Sequence, residues 1–284
     1  MKTLIITLFI TCLSILSGNA QQKANNMTSG YAPIDGLKMY YEIHGEGKPI
    51  VLLHGSYMNI NLNYSQLIPE LAKSHKVIVL EMQGHGRTAD IDRPFSYAAL
   101  ADDVAGLLKY LKIDSADIAG YSLGGIVAFE LAIKHPSLVH KLIIISSVYK
   151  FEGWIPAARE MFPHMKPEFF TNTPIKTEYD KLSPDKSHWN DFATKLIKFD
   201  GTPFDLGTEN IKAIKSPVLF INGDNDGVDL SYVAETYKLC GGGVFGDMTG
   251  LPKSQLAIIP GATHVSLMME TQKLTALILP FLDK

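Results

Sequence analysis

A serine in a glycine-rich turn is the first candidate for chemistry in this sequence of 284 residues. Residues 117–132 read DIAGYSLGGIVAFELA, an apolar run followed by Gly-Tyr-Ser-Leu-Gly-Gly and then at once by a helical pattern. Gly120 and Gly124 allow a tight strand-to-helix turn in which a Cβ atom would collide. Such a turn exposes the Ser122 hydroxyl at the end of the strand, next to the positive N-terminus of the helix. The pattern therefore predicts that Ser122 is a nucleophile.

A nucleophilic serine needs a base for its proton and a carboxylate to orient that base. His264 follows the last apolar run of the chain, in IIPGATHVS, and we predict that it is the base. Three aspartates follow the preceding apolar run, in FINGDNDGVD: Asp224, Asp226 and Asp229. The order Ser, Asp, His along the chain is the one expected when the nucleophile lies in a strand-to-helix turn of this kind. We favour Asp226 as the acid, with Asp224 as the alternative.

Two backbone amides are candidates for stabilising negative charge that develops on a substrate oxygen. The segment LLHGS brings the amide N–H of Ser56 to the end of another strand, and the amide N–H of Leu123 directly follows the candidate nucleophile. One such donor typically contributes a factor of about 10²–10³ in rate. His54 lies at the start of this loop, and we interpret it as a structural residue that orients the loop.

The segments that must position these residues alternate between buried strands and helices. Residues 97–111, for example, carry apolar side chains at the three-and-four spacing of an amphipathic helix. Such alternation predicts an α/β fold with a mostly parallel, twisted sheet flanked by helices. Residues 37–53 are expected to form an edge hairpin that turns at residues 45–47. The predicted buried strands are residues 49–53, 76–82, 116–121, 141–147, 216–223 and 255–261.

Residues 149–206 interrupt this alternation. The stretch contains six prolines, many aromatic residues and no buried strand, which predicts a small helical cap inserted over the sheet. Its aromatic and methionine side chains favour an apolar substrate pocket. A second unusual segment, residues 240–250, carries a glycine triplet and is either a mobile surface loop or a second anion-binding loop.

The charge and the N-terminus bear on partners and location. The formal net charge is −3 and no long run of like charges occurs, which argues against nucleic-acid and anionic-membrane partners. Residues 1–20 have the pattern of a secretory signal peptide that is cleaved after Ala20. The remaining residues, 21–284, are then expected to reach the periplasm or the medium, with no membrane span. Since Cys12 leaves with the signal, Cys240 has no disulfide partner.

The segments VLLHGS, EMQGHGRT, GYSLGG, GDND and GATH together resemble the α/β-hydrolase fold superfamily, in its cap-bearing, esterase-like branch. The resemblance extends from about residue 37 to the C-terminus. It implies that Ser122, Asp226 and His264 form a catalytic triad and that the two amides named above form the oxyanion hole. It also implies that the helical insertion is a cap over the substrate pocket and that neither a metal nor an organic cofactor is required.

The resemblance implies a serine hydrolase that cleaves a small, apolar carboxylic ester through an acyl-enzyme on Ser122. Relatives that act on halides or epoxides carry Asp at the position of Ser122, which disfavours those reactions. Other chemistry of the same triad stays open, namely C–C bond hydrolysis, thioester hydrolysis or perhydrolysis, because one fold hosts many reactions. A ligand-binding or receptor-like role with slow turnover is the remaining alternative.

Overall fold

A computed structural model describes residues 27–284 of the protein. The predicted signal peptide, residues 1–20, lies outside this range and stays a prediction. Within the described residues, no helix combines the length and the apolar character that crossing a membrane requires.

In residues 27–284, eight strands form one mixed sheet. The strands are β1 (Met27–Ile34), β2 (Leu37–His44), β3 (Lys48–Leu53), β4 (His75–Leu80), β5 (Ala116–Tyr121), β6 (Val139–Ile145), β7 (Val218–Asn225) and β8 (Gln255–Thr263). Their order across the sheet is β1-β2-β4-β3-β5-β6-β7-β8. Strands β3 to β8 run parallel to one another, and only the β1–β2 and β2–β4 pairs of this described sheet are antiparallel. The predicted α/β fold with a mostly parallel sheet is confirmed.

Helices cover both faces of the sheet. The α-helices are α1 (Ile60–Tyr64), α2 (Leu67–Leu71), α3 (Tyr97–Tyr110), α4 (Leu123–Lys134), α5 (Pro156–Met161), α6 (Pro174–Leu182), α7 (Trp189–Asp200), α8 (Thr208–Ala213), α9 (Leu230–Leu239), α10 (Gly246–Thr249) and α11 (Thr271–Leu282). Short 3-10 helices span Pro136–Leu138, Phe151–Gly153, Phe162–His164, Pro167–Phe170, Lys186–His188 and Ser266–Met269. One core, which includes Val104 and Phe129, packs α3 and α4 on the sheet, and a second core, which includes Leu71 and Phe281, packs α2 and α11 on it. Because both faces are covered there, strands β3 to β6 consist mostly of buried residues.

The antiparallel edge of the sheet differs from the predicted hairpin. Strand β2 pairs with β1 on one side and with β4 on the other, so the expected pairing across the turn at residues 45–47 is wrong. The edge hairpin is β1–β2 instead, and it turns at Asp35 and Gly36, whose φ angles are 42° and 84°. A two-residue turn with two positive φ angles matches the twist of an antiparallel pair. Strand β1 is not among the predicted strands because its sequence, MTSGYAPI, contains Gly30 and Pro33 and has no continuous apolar run.

The residues between β6 and β7 leave and rejoin the sheet at one place. Two backbone hydrogen bonds of 2.9 Å join residues 149–151 to residues 204–206. An isolated β-bridge between Lys150 and Asp205 lies between those two bonds. We refer to these paired residues as the stem. Helices α5, α6 and α7 lie within the segment that the stem closes, where a cap is expected from the sequence.

A small aromatic cluster holds this insertion together. Tyr179 of α6 stacks on Phe192 of α7 with ring centroids 5.5 Å apart, and Trp189 meets the edge of Tyr179 at 5.0 Å. Phe192 also contacts the ring of His85, which follows β4, at 5.0 Å. The insertion is therefore packed against the loops at the carboxyl ends of the parallel strands.

Candidate active site

The turn after β5 holds Ser122 in a strained backbone conformation. Ser122 has φ 53° and ψ −117°, a region that residues with a side chain rarely adopt, and such a conformation typically costs about 1–3 kcal/mol. The glycines around it are required by space: a Cβ atom on Gly120 would lie 2.1 Å from the carbonyl oxygen of Gly124. A Cβ atom on Gly124 would lie 2.0 Å from the carbonyl oxygen of Leu53. The close contact of α4 with β3 and β5 thus fixes the position of the serine.

Three side chains from the ends of β5, β7 and β8 form one hydrogen-bonded chain. His264 Nε2 lies 3.0 Å from Ser122 Oγ, and His264 Nδ1 lies 2.8 Å from Asp226 Oδ1. The residues meet because the carboxyl ends of parallel strands share one edge of the sheet. With Nδ1 donating to the carboxylate, the lone pair of Nε2 is directed at the serine hydroxyl. This arrangement can transfer a proton from the hydroxyl to the imidazole.

The carboxylate of Asp226 is buried and fully engaged. Burial opposes its ionisation, but hydrogen bonds from His264, from the Ser146 hydroxyl and from the backbone N–H of Val228 hold the pKa of Asp226 below its usual value. Ser146, which follows β6, adopts a positive φ of 48° that directs its hydroxyl at Asp226 Oδ2. The side chain is thus kept as an anion that can orient and stabilise a protonated imidazole.

Asp224, the alternative acid, lies elsewhere. It is exposed, and its Oδ1 accepts hydrogen bonds from the backbone N–H of Gly261 and from the side chain of Asn225, each at 2.7 Å. The structure therefore brings Asp226, and not Asp224, to the imidazole.

Two aromatic residues fix the orientation of His264. The Tyr121 hydroxyl donates to the backbone carbonyl of His264 at 2.9 Å, and the two rings lie 5.2 Å apart. Trp154, at the start of the insertion, meets the imidazole edge-on with ring centroids 5.5 Å apart. The imidazole is thus positioned from the sheet side and from the insertion side.

The loop after β3 lies beside the serine. The backbone N–H of Gly55 donates to Asn63 Oδ1 at 2.8 Å, and that of Tyr57 donates to His85 Nε2 at 3.3 Å. His54 is fully buried, and its Nε2 accepts the backbone N–H of Met82 at 3.0 Å. These bonds hold the loop from both ends.

The two candidate oxyanion donors belong to this region. Leu123 is the first residue of α4, so its N–H lies outside the hydrogen bonds of the helix. Ser56 and Leu123 both line the same cavity as Ser122. The structure thus brings both candidate donors to the cavity of the predicted nucleophile.

A cavity of about 300 Å³ adjoins Ser122 and His264. Its walls are mostly apolar, and none of its lining residues is Lys or Arg. Residues 240–250 do not line it. Within residues 27–284, no cluster of His, Cys, Asp and Glu side chains could hold a metal ion. The insertion contributes the lining residues Trp154, Ala158, Met161, Phe162, Met165 and Ile175.

Two residues of this region are not predicted from the sequence. Ser146 has no motif around it, and only its position after a buried strand marks it. Asp200 is the last residue of α7 and also lines the cavity. A signal for Asp200 was present: an acidic side chain at a helix C-terminus opposes the helix dipole, where a basic side chain is usual.

A family profile described as the alpha/beta hydrolase fold matches residues 48–184, which include the loop after β3 and the turn at Ser122. The chain belongs to the α/β-hydrolase fold superfamily. Within this superfamily, the "AB hydrolase superfamily protein YisY" of Bacillus subtilis (strain 168) is 25% identical over 270 residues, which are 86% of this chain and 95% of that protein.

Shorter regions match other curated proteins at higher identity. A 2-hydroxymuconate semialdehyde hydrolase of Pseudomonas sp. (strain CF600) is 35% identical over 115 residues, which are 39% of this chain and 41% of that enzyme. The chain thus spans less than half the length of the first curated relatives it matches.

Solved structures share the fold over most of the chain. A meta-cleavage product hydrolase from Pseudomonas fluorescens matches with a TM-score of 0.69 and 21% identity, covering 90% of this chain and 97% of that one. A thermophilic esterase from Thermogutta terrifontis matches with a TM-score of 0.66 and 23% identity, covering 90% and 98%. At these identities the likeness concerns the α/β-hydrolase fold alone.

Proposed function

We propose that the protein is a serine hydrolase that cleaves a carboxylic ester through an acyl-enzyme on Ser122. The observation that carries this proposal is the hydrogen-bonded chain from the Ser122 hydroxyl through His264 to Asp226, with separations of 3.0 Å and 2.8 Å. The strained turn at Ser122 supports the proposal, because backbone strain of this kind is concentrated at functional sites.

The first half of the reaction forms the acyl-enzyme. Ser122 Oγ attacks the carbonyl carbon of the ester while His264 Nε2 takes the hydroxyl proton. The carbonyl oxygen becomes negatively charged, and the backbone N–H groups of Ser56 and Leu123 stabilise that charge. The C–O bond to the leaving group then breaks as His264 donates the proton to the leaving oxygen. An alcohol departs, and the acyl group stays on Ser122.

The second half repeats these steps with water. His264 Nε2 takes a proton from a water molecule as its oxygen attacks the acyl carbon, and the proton then passes to Ser122 Oγ as the acyl bond breaks. The products are a carboxylic acid and the free serine. Throughout, the Asp226 carboxylate orients the imidazole and stabilises its protonated form without taking the proton itself.

The lining of the cavity favours an uncharged substrate. Its walls are mainly apolar, it is lined by no Lys or Arg, and its one carboxyl group, that of Asp200, would repel an anion. Apolar walls with a few converging polar groups are typical of small-molecule sites. A neutral ester of modest size fits this environment better than a carboxylate does.

Hydrolysis of a C–C bond is the second candidate. The resemblance to a 2-hydroxymuconate semialdehyde hydrolase over 115 residues favours it. A muconate is a carboxylate, however, and the lining residues include no Lys or Arg that could bind one. For this reason we rank ester hydrolysis first.

A panel of 4-nitrophenyl esters of increasing acyl length tests the proposal, with Ser122→Ala as the blank. We expect turnover that is saturable in the wild type and lower by at least about 10³-fold in the variant, because the nucleophile is lost. A parallel assay tests C–C bond hydrolysis. It uses a vinylogous diketone acid as substrate and follows the decrease in the absorbance of that compound. Ester turnover that is unchanged in Ser122→Ala would refute the proposal, and a preference for the diketone acid would favour C–C hydrolysis.

A further inference from the structure

Asp200 is an acidic residue in a place where the surrounding protein does not favour a negative charge. It is the last residue of α7, and the carbonyl groups at a helix C-terminus already carry partial negative charge. It lines the mostly apolar cavity beside Ser122. Loss of contact with water raises the pKa of Asp200 to about 7, and none of the described Lys or Arg residues offsets this effect.

The hydroxyl groups of Ser56 and Tyr57 lie beside the Asp200 carboxyl. The Ser56 hydroxyl donates to Asp200 Oδ1 at 3.0 Å. The Tyr57 hydroxyl is buried and makes no well-aligned hydrogen bond within residues 27–284, but it faces the Asp200 carboxyl. Burial, the charge of Asp200 and a hydrogen-bonding interaction with its carboxyl raise the pKa of Tyr57. Burial raises the pKa of Tyr97, the charge of Asp200 adds to this effect, and Tyr97 lines the same cavity. Asp200, Tyr57 and Tyr97 thus form a polar patch in an otherwise apolar wall.

The backbone supports a specific role for Tyr57. Tyr57 has a positive φ of 61°, which is unfavourable for a bulky residue. Its ring packs on Phe170 of the insertion, with centroids 4.5 Å apart, and this contact holds the hydroxyl near Asp200. A buried hydroxyl whose polar neighbour is a poorly aligned carboxyl leaves part of its hydrogen-bonding capacity unused, which is unfavourable. Both unfavourable features of Tyr57 are explained if a bound molecule forms a hydrogen bond with this hydroxyl.

The patch lies next to the reacting atoms. Ser56, whose side chain binds Asp200, also presents one of the two candidate oxyanion N–H groups. When the carbonyl group of a substrate is held at Ser122, atoms a few bonds away from that carbonyl can therefore reach the patch. A polar group of the substrate could reach the patch while its apolar part contacts the methionine and aromatic side chains of the insertion.

We propose that Asp200, Tyr57 and Tyr97 bind a hydroxyl group of the substrate, so that the preferred substrates are hydroxylated esters. This inference rests on the proposed ester hydrolysis. A hydroxyl group can donate a hydrogen bond to the free oxygen of Asp200 and accept one from a tyrosine hydroxyl at the same time. It therefore pairs with both the acceptor and the donor of the patch. An ammonium group donates only, and a carboxylate group would be repelled by Asp200.

Matched pairs of substrates test the inference. The first pair is 4-nitrophenyl 3-hydroxybutanoate and 4-nitrophenyl butanoate, and the second is 3-hydroxybutyl acetate and butyl acetate, followed by pH-stat. Each kcat/KM is divided by the rate constant for hydroxide-catalysed hydrolysis of the same ester, which removes differences in intrinsic reactivity. We expect the hydroxylated member of at least one pair to be preferred by about tenfold or more, since a site built for a hydroxyl rejects an analogue that lacks it.

Two variants connect that preference to the patch. Tyr57→Phe removes one hydroxyl and keeps the ring, and Asp200→Leu removes the carboxyl at similar volume. In each variant the ratio of the two kcat/KM values should fall toward 1, whatever happens to the activity itself. Asp191→Asn, an exposed position on the same helix, is the matched control and should keep the wild-type ratio.

The outcomes separate this inference from the proposed function. Ser122-dependent turnover with a ratio near 1 for both pairs overturns the inference and leaves ester hydrolysis standing. A wild-type ratio that survives in both Tyr57→Phe and Asp200→Leu also overturns it. A stronger preference for 4-nitrophenyl 3-aminobutanoate than for the hydroxy ester would overturn the inference, because the patch would then bind an ammonium group and not a hydroxyl group. Absence of turnover for every ester removes the proposed function and this inference together.

Discussion

Asp224 and Asp226 stand two positions apart and have opposite surroundings. The carboxylate of Asp226 is buried and receives three hydrogen bonds, one of them from the imidazole of His264. Asp224 is exposed and accepts from a neighbouring side chain and from the backbone N–H of Gly261. The sequence alone favours Asp226 but keeps Asp224 as an alternative, because both follow the same predicted strand, residues 216–223, in a turn-forming segment. Only the contact with a residue 38 positions away separates them.

This contrast gives a paired prediction. Asp226→Asn keeps the shape of the side chain but removes the negative charge, so the imidazole loses its orientation and its stabilisation. We expect kcat for an ester substrate to fall by about 10³–10⁴-fold, the effect known for loss of a triad acid. Asp224→Asn should change kcat by less than about threefold. Steady-state kinetics of both variants against the wild type check this, and equal losses in the two would contradict the assignment.

The pKa of Asp200 predicts a pH-dependent stability. The usual value, 3.8, is raised to about 7 in the folded protein. Between pH 4 and pH 7 the folded state therefore binds more protons at Asp200 than the unfolded state does, and the wild type loses stability as pH rises. Above pH 7 Asp200 is ionised in both the folded and the unfolded state, so the loss of stability no longer changes with pH. The tyrosines that face Asp200 stay neutral in this range because burial raises the pKa of each.

Asp200→Asn keeps an oxygen that can accept from Ser56 and removes this titration. The melting temperature of the variant minus that of the wild type should be near zero at pH 4, increase up to about pH 7 and then level off. We expect the plateau at several degrees, since 1 kcal/mol shifts the melting temperature by about 2–4 °C in a protein of this size. Differential scanning calorimetry from pH 4 to 8 measures it, with Asp191→Asn as the exposed control. A difference that does not change with pH would contradict the raised pKa.

At the scale of elements, the apolar runs predict most of the sheet. The predicted strand at residues 116–121 coincides with β5, and the predicted helix at 97–111 differs from α3 by one residue. The β1–β2 hairpin is missed, because the pairing of an edge strand without a continuous apolar run depends on its neighbour and not on its own pattern. Asp200 is missed for a similar reason. Its acidic side chain at the end of α7 is a local signal, but its contact with the loop after β3 depends on how α7 packs, and sequence spacing does not show that.

The contact between α4, β3 and β5 predicts which glycines cannot be replaced. A Cβ atom on Gly120 would lie 2.1 Å from a backbone oxygen that cannot move without displacing α4. We expect Gly120→Ala to lower the free energy of unfolding by more than about 4 kcal/mol or to prevent folding. At Gly201, after α7, the nearest atom to such a Cβ is 3.4 Å away and φ is −84°. Gly201→Ala should therefore stay within about 1 kcal/mol of the wild type, as urea denaturation would show.

At the scale of the whole molecule, export remains a proposal based on residues 1–20. We expect the chain expressed in a bacterium to be recovered outside the cytoplasm with Gln21 as its first residue, because the apolar stretch has the length of a signal and not of a span. Leu8→Arg, which places a charge within that stretch, should leave the full-length chain in the cytoplasm. Cell fractionation followed by N-terminal sequencing of the recovered protein measures both outcomes. Full-length protein in the cytoplasm of the wild-type strain would refute the predicted cleavage.

The stem has a consequence for how substrate preference can diverge in proteins of this design. Because residues 149–151 and 204–206 are bonded directly to each other, chain length and sequence between them can vary without moving the strands that carry the proton-transfer groups. Asp200 lies only four positions before the returning half of the stem, so the carboxyl stays anchored while more distant parts of the insertion are exchanged. Replacing residues 155–199, which leaves the stem, Trp154 and Asp200 in place, should therefore give chimaeras with the same chemistry and a new substrate preference.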